Sequence, residues 1–121
     1  MAWTVDARIP LVVVPDVAGL AAALAEGPAA AVLAEAPAPP VEGAVAVEGF
    51  EADMPHAIAC TCCNGRSPAA AALDRLFQAR VRGRCGWFTR VVALAGSEPA
   101  RVQVAEALAG DALTAARFRP A

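Results

Sequence analysis

The chain has 121 residues, about one domain's worth, and 33 of them are alanine. All ten basic residues are arginine, and there is no lysine and no tyrosine. That excludes the lysine-bearing phosphate loop of a nucleotide hydrolase and the Schiff-base chemistry of a catalytic lysine. The apolar fraction is 58%, but so much of it is alanine that a thin core is expected. Chains of this length also bury less of their surface than large domains, so a partner that covers part of it is expected. The net charge of -2 hides a split. Residues 1–60 carry one Arg and eight acids, and residues 61–121 carry nine Arg and four acids. Such asymmetry can orient a molecule against a partner.

Residues 8–14 (RIPLVVV) read as a short buried strand with Pro10 near its start, stopped by Pro15. Asp16 is placed to cap a helix over 17–26, with Val17, Leu20, Ala21 and Leu24 on one face. Gly27-Pro28 ends that helix. Residues 29–35 form a second strand, and a Pro/Ala-rich turn or linker follows at about 36–43. Residues 44–50 supply another strand or a hairpin arm, and 56–60 a brief strand that runs into a cysteine cluster. Ser67-Pro68 opens a helix over 68–81. Its expected buried stripe is Ala69, Ala72, Leu73, Leu76 and Phe77, with Asp74, Arg75 and Gln78 facing outward. A Gly-rich connection over 82–87 leads to a strand at 88–95. Gly96-Ser97 turns into a helix over about 99–109, terminated by Gly110. Asp111 caps a short last helix anchored by Leu113 and Phe118. Strands alternating with helices predict an α/β fold: one small three-layer domain over 1–121, with a short, mostly parallel sheet and flanking helices.

No apolar run is long enough to span a bilayer, and MAWTVDARIP has no basic leader region. The expected location is cytoplasmic. In that compartment four cysteines read as metal ligands, reactive thiols or core residues, not as a disulfide framework. Arg80, Arg82, Arg84 and Arg90, beside Trp87 and Phe88, make a sparse basic stripe. A nucleic-acid footprint wants a denser one, so nucleic acid is not the expected partner.

Cys60-Thr61-Cys62-Cys63 is the sharpest feature: three thiols in four residues of a chain otherwise poor in cysteine. Thiolates favour zinc, copper(I) or iron–sulfur chemistry, and a Cys-x-Cys pair can close on one metal from both sides of a turn. A structural zinc site takes four protein ligands. His56, four residues before Cys60, and Cys85 on the later loop are the candidates to complete the set. The competing reading makes two of these cysteines small buried hydrophobes at a strand end. A redox role is disfavoured, since the motif is not the Cys-x-x-Cys of dithiol exchange.

From about residue 56 to 119 the chain resembles the CobW-type P-loop GTPases, which act as zinc or cobalt metallochaperones. The likeness rests on Cys60–Cys63, then the helix with Leu73, Leu76 and Phe77, then Arg90-Val91-Val92. Gly96, Glu98-Pro99, Asp111 and Arg117-Phe118-Arg119 complete the order. In 8–35 only Arg8-Ile9-Pro10 and the strand that follows correspond to the family's first strand. The family's Gly-Lys-Thr loop is absent, and Pro15-Asp16-Val17-Ala18-Gly19 stands in its place. Where the family has Glu-Thr-Thr-Gly, this chain has Ala93-Leu94-Ala95-Gly96, with no acid for magnesium. The resemblance therefore implies a shortened, catalytically empty, P-loop-derived domain that binds no nucleotide.

Two functions are expected from this reading. The first is a non-catalytic accessory protein that docks on a larger assembly or on copies of itself, with a candidate thiolate site at Cys60, Cys62 and Cys63. The alternative is a metallochaperone-like protein that binds and delivers zinc or copper(I) without GTPase activity. Trp3 and the pair Trp87-Phe88 are candidate interface anchors. Against that, Trp87 and Phe88 can both be placed in the core at a strand start.

Overall fold

The computed structural model describes residues 6–52 and 66–121. Five strands, β1 (Ile9–Val14), β2 (Ala30–Glu35), β3 (Ala46–Phe50), β4 (Arg90–Leu94) and β5 (Phe118–Pro120), form one sheet in the order β3-β2-β4-β1-β5. Every pairing is parallel. Four helices accompany them: α1 (Val17–Ala25), α2 (Pro68–Val81), α3 (Glu98–Gly110) and α4 (Ala112–Arg117). The α/β expectation is met, and the arm at 44–50 pairs parallel to β2, so it is not half of a hairpin.

The central strand β4 sets the register. Val91 lies opposite both Leu11 and Ala31, and Val92 opposite both Val12 and Val32. A strand buried on both faces must be apolar at successive positions, and Val91 through Ala95 are all buried. Pro10 is tolerated because β4 pairs with β1 only from Leu11 onward. Its missing N–H therefore leaves no gap in that ladder.

Alternation divides the core in two. Ile9, Leu11, Leu33, Val91 and Ala93 face α2 and α3, where they meet Leu73, Leu76, Ala100 and Val104. Val32, Ala34, Val92 and Leu94 face α1 and its Leu20. The α1 crossover runs from β1 toward β2, and the α2 and α3 crossovers run in the opposite direction along the sheet. Crossovers of one hand moving in opposite directions cover opposite faces, which makes the three layers. No helix joins β2 to β3. Residues 36–45 make that crossover as a proline-rich loop, and its Val41 and Ala44 pack against the α1-side core in place of a helix.

Each helix begins at a side-chain cap. Asp16, Ser67, Ser97 and Asp111 accept from the backbone N–H groups of Gly19, Ala70, Ala100 and Thr114. Ala69 and Ala72 on α2 and Ala100 on α3 are fully buried against a sheet whose facing residues include Ala31, Ala93 and Ala95. Small residues on both sides of these contacts let the layers approach closely.

Three expectations are corrected. Phe118 does not anchor a helix: α4 stops at Arg117, and Phe118 opens β5 opposite Ile9, edge-on to Phe77. Continuing the helix would have carried this ring away from the core that buries it. Leu113, expected as the second anchor, is exposed. The strand expected from residue 88 starts at Arg90, and the aromatic pair before it splits, with Phe88 fully buried and Trp87 60% exposed.

Arg90 is structural. Its guanidinium donates to the carbonyls of Ala23, Glu26 and Pro28, tying the end of α1 to the start of β4. Gly27, at φ +91°, turns the chain beneath it, and a Cβ there would sit 3.3 Å from the guanidinium carbon. Arg90→Met keeps the stem and strands three carbonyls. It is expected to lower unfolding stability by about 2–4 kcal/mol, read from urea midpoints at constant slope.

Candidate functional site

His56, Cys60, Cys62 and Cys63 lie outside the described residues; the segments that flank them do not. Gln103 on α3 donates to the carbonyls of Glu51 and Ala52 and accepts from the N–H of Ala69. One amide thus ties down the chain on both sides of the cysteine-bearing segment. It also satisfies an N-terminal donor of α2 that the Ser67 cap does not reach. Arg66 fixes the far flank. It makes a two-point contact with Asp111 (3.0 and 2.7 Å), with Asp74 3.8 Å away. Neither Gln103 nor Arg66 stands out in the sequence, because both act across 34 or more residues.

Cys85, a candidate further ligand, is half-buried and packs against the α2/α3-side core. It follows α2 in the chain, so a helix of about 21 Å separates its loop from Arg66. Among the described residues, no group of three or more His, Cys, Asp or Glu side chains could hold a metal ion. No helix among them is long and apolar enough to cross a membrane.

Parallel α/β sheets hold their ligands outside the carboxyl ends of the strands. That edge here is an open cleft of about 400 Å³, lined by Pro15, Asp16, Glu35, Pro37, Leu94 and Gly96 among others. Glu35, the last residue of β2, reaches the turn that joins the neighbouring β4 to α3. Its carboxylate accepts from the N–H of Gly96 (3.0 Å), the N–H of Ser97 (3.1 Å) and the Ser97 hydroxyl (2.6 Å). These bonds, the hydroxyl's foremost, hold the Glu35 carboxyl below its ordinary value. A helix N-terminus attracts anions, and here the protein's own carboxylate is the anion. Local reading of Ala93-Leu94-Ala95-Gly96 finds no acid at this turn; the neighbouring strand delivers one. The turns after β1 and β4 nearly touch, since a Cβ on Gly96 would lie 3.1 Å from the Pro15 carbonyl oxygen.

The arginines expected as a stripe are divided between jobs. Arg90 holds α1. Arg80 donates to the Phe88 carbonyl and lies 3.6 Å from the centre of the Trp87 ring. Arg82 and Arg84 are exposed in the turn after α2.

Asp111 carries the pH dependence of this region. The hydrogen bond from Arg66, then those from Thr114, hold its carboxyl down at about 2. An unfolded aspartate titrates near 3.9, so the Asp111 contribution is complete above about pH 4 and is lost as the pH falls toward 2. Asp111→Asn keeps the helix cap but removes the charge. It is expected to cost about 1–3 kcal/mol at pH 7 and to flatten the stability profile between about pH 4 and pH 2, measured by urea unfolding across that range.

A scan against family models, a search of curated proteins and a search of solved structures each returned no match.

Proposed function

We propose that this chain is a non-catalytic binding module that docks on a larger protein assembly in the cytoplasm. One observation carries this reading: the carboxyl-edge cleft is engaged by the chain's own Glu35, which takes up the N–H groups of Gly96 and Ser97 that would otherwise meet a ligand there. A second feature supports it. An apolar groove of about 380 Å³ runs beside β1 and α3, lined by Leu11, Val12, Val13, Val104 and Leu108 among others. Val12 and Val13 are each 39% exposed on a strand whose outer partner, β5, reaches only to Leu11. Apolar surface left open on so small a domain favours burial against another chain. The domain is read as derived from a CobW-type P-loop scaffold. The segment Pro15–Gly19, whose last three residues already belong to α1, stands in place of the phosphate loop, and no nucleotide is expected to bind.

The second reading is thiolate metal handling by Cys60, Cys62 and Cys63. The tethering of both flanks by Gln103 and Arg66 favours it, since a segment held at both ends loses less freedom on closing around a metal. Zinc or copper(I) suits the donors.

Native mass measurement on chelator-free protein, paired with metal analysis, separates the readings. Docking predicts a stoichiometric complex or homo-oligomer. Ala105→Glu, placing a charge on the exposed α3 wall of the groove, is expected to dissociate it with the far-UV circular dichroism unchanged. A metal-free or metal-bound monomer overturns docking. Stoichiometric metal that Cys60→Ser with Cys62→Ser removes establishes the second reading instead.

A further inference from the structure

The amino ends of the strands carry a second cleft, at the opposite edge of the sheet from Glu35. It measures about 430 Å³ and is lined by Asp6, Arg8, Ile9, Phe77, Arg80 and Arg117, with Ala7 and Ala116 between them. Three chain segments far apart in sequence bring guanidinium groups to it: the lead into β1, the end of α2 and the end of α4. Against these three cations the lining holds one carboxylate, Asp6.

The three cations are not equally neutralised. Arg8 is spent on Asp6, in a two-point contact at 3.0 and 2.9 Å, and on the Ala115 carbonyl. Arg117 pairs with Asp74 and lies over the Phe77 ring, 4.3 Å from its centre. Arg80 has no carboxylate among the described residues within ion-pair distance. Its one hydrogen bond to a described residue is from Nε to the Phe88 carbonyl, so among the described residues both terminal nitrogens remain unused. It is half-buried between aromatic rings, and that burial disfavours its charge. A guanidinium that has lost water without gaining an anion is poised to accept one. Behind Asp6, outside the lining, Arg119 holds a buried Nε with no hydrogen-bond partner among the described residues, 3.7 Å from the Asp6 carboxylate. The walls opposite are apolar: Ile9 is buried in the core and Phe77 packs against it. Volume, apolar walls and a few convergent polar groups are the attributes of a small-molecule site.

We propose that this amino-edge cleft binds a small organic oxyanion, a carboxylate or phosphoester, with its charged group on Arg80 and its apolar body against Ile9 and Phe77. Arg8 and Arg117, already paired, supply the surrounding positive field. The Arg80–Trp87 stack gives the site its own optical reporter, since an anion drawn to the guanidinium alters the ring beneath it.

The test is equilibrium titration of Trp87 emission in a Trp3→Phe background, with benzoate and phenyl phosphate as probes. The expected result is saturable binding of at least one probe, with a dissociation constant below about 10 mM. Which probe binds more tightly assigns the carboxylate or phosphoester source. Arg80→Met is expected to weaken binding at least about tenfold, the loss of one charge-assisted contact. Ala116→Glu sets a second carboxylate in the cleft from an exposed helical position and is expected to abolish binding. It decides the matter if Arg80→Met fails to fold. Arg84→Met, outside the cleft, is expected to leave the affinity unchanged. The proposal is overturned by linear, unsaturable quenching, by equal affinity in the Ala116→Glu protein, or by Arg84→Met weakening binding as much as Arg80→Met.

Discussion

The position of β4 between β1 and β2 governs the whole molecule. A strand from the arginine-rich half of the chain is thereby inserted between two strands from the acidic half. Both of its faces are buried, so its residues must be apolar, and both of its edges are paired, so its backbone is satisfied without water. Arginines of the second half then meet acids of the first within the fold: Arg75 reaches Glu48, and Arg119 lies beside Asp6.

An alanine-rich core yields little burial energy per residue, because a methyl side chain removes little apolar surface from water. The molecule supplements it with long polar side chains that tie one element's backbone to another. Arg8, Arg66, Arg75, Arg80, Arg90 and Arg101 each donate to main-chain carbonyls. A guanidinium offers five donors in a planar fork, and lysine offers three on a point charge. The absence of lysine therefore excludes some chemistries and also supplies the cross-links that a thin core needs.

The two edges of the sheet differ in character for the same reason. At the carboxyl edge the donors of α3 are met internally by Glu35, and α1 starts at its own Asp16 cap. At the amino edge the arginines in the last turns of α2 and α4 converge, and the local acids do not match them. A parallel sheet places every strand start on one side, so charges that precede strands in the sequence gather there whatever their spacing along the chain.

The alternation of strands and helices can be read along the chain, because hydrophobic period, proline stops and Ser/Asp caps are local signals. Asp16, Ser67 and Asp111 were legible as caps, and Leu73 and Leu76 as core, for that reason. The place of Phe118, the parting of Phe88 from Trp87, and the hold of Gln103 and Arg66 on the flanks of the cysteine segment emerge from the folded chain. Glu35 at the α3 turn and the gathering of Arg8, Arg80 and Arg117 are of the same kind. Each depends on contacts between residues dozens of positions apart, and strand order, which brings such residues together, leaves no mark in any local window of the chain.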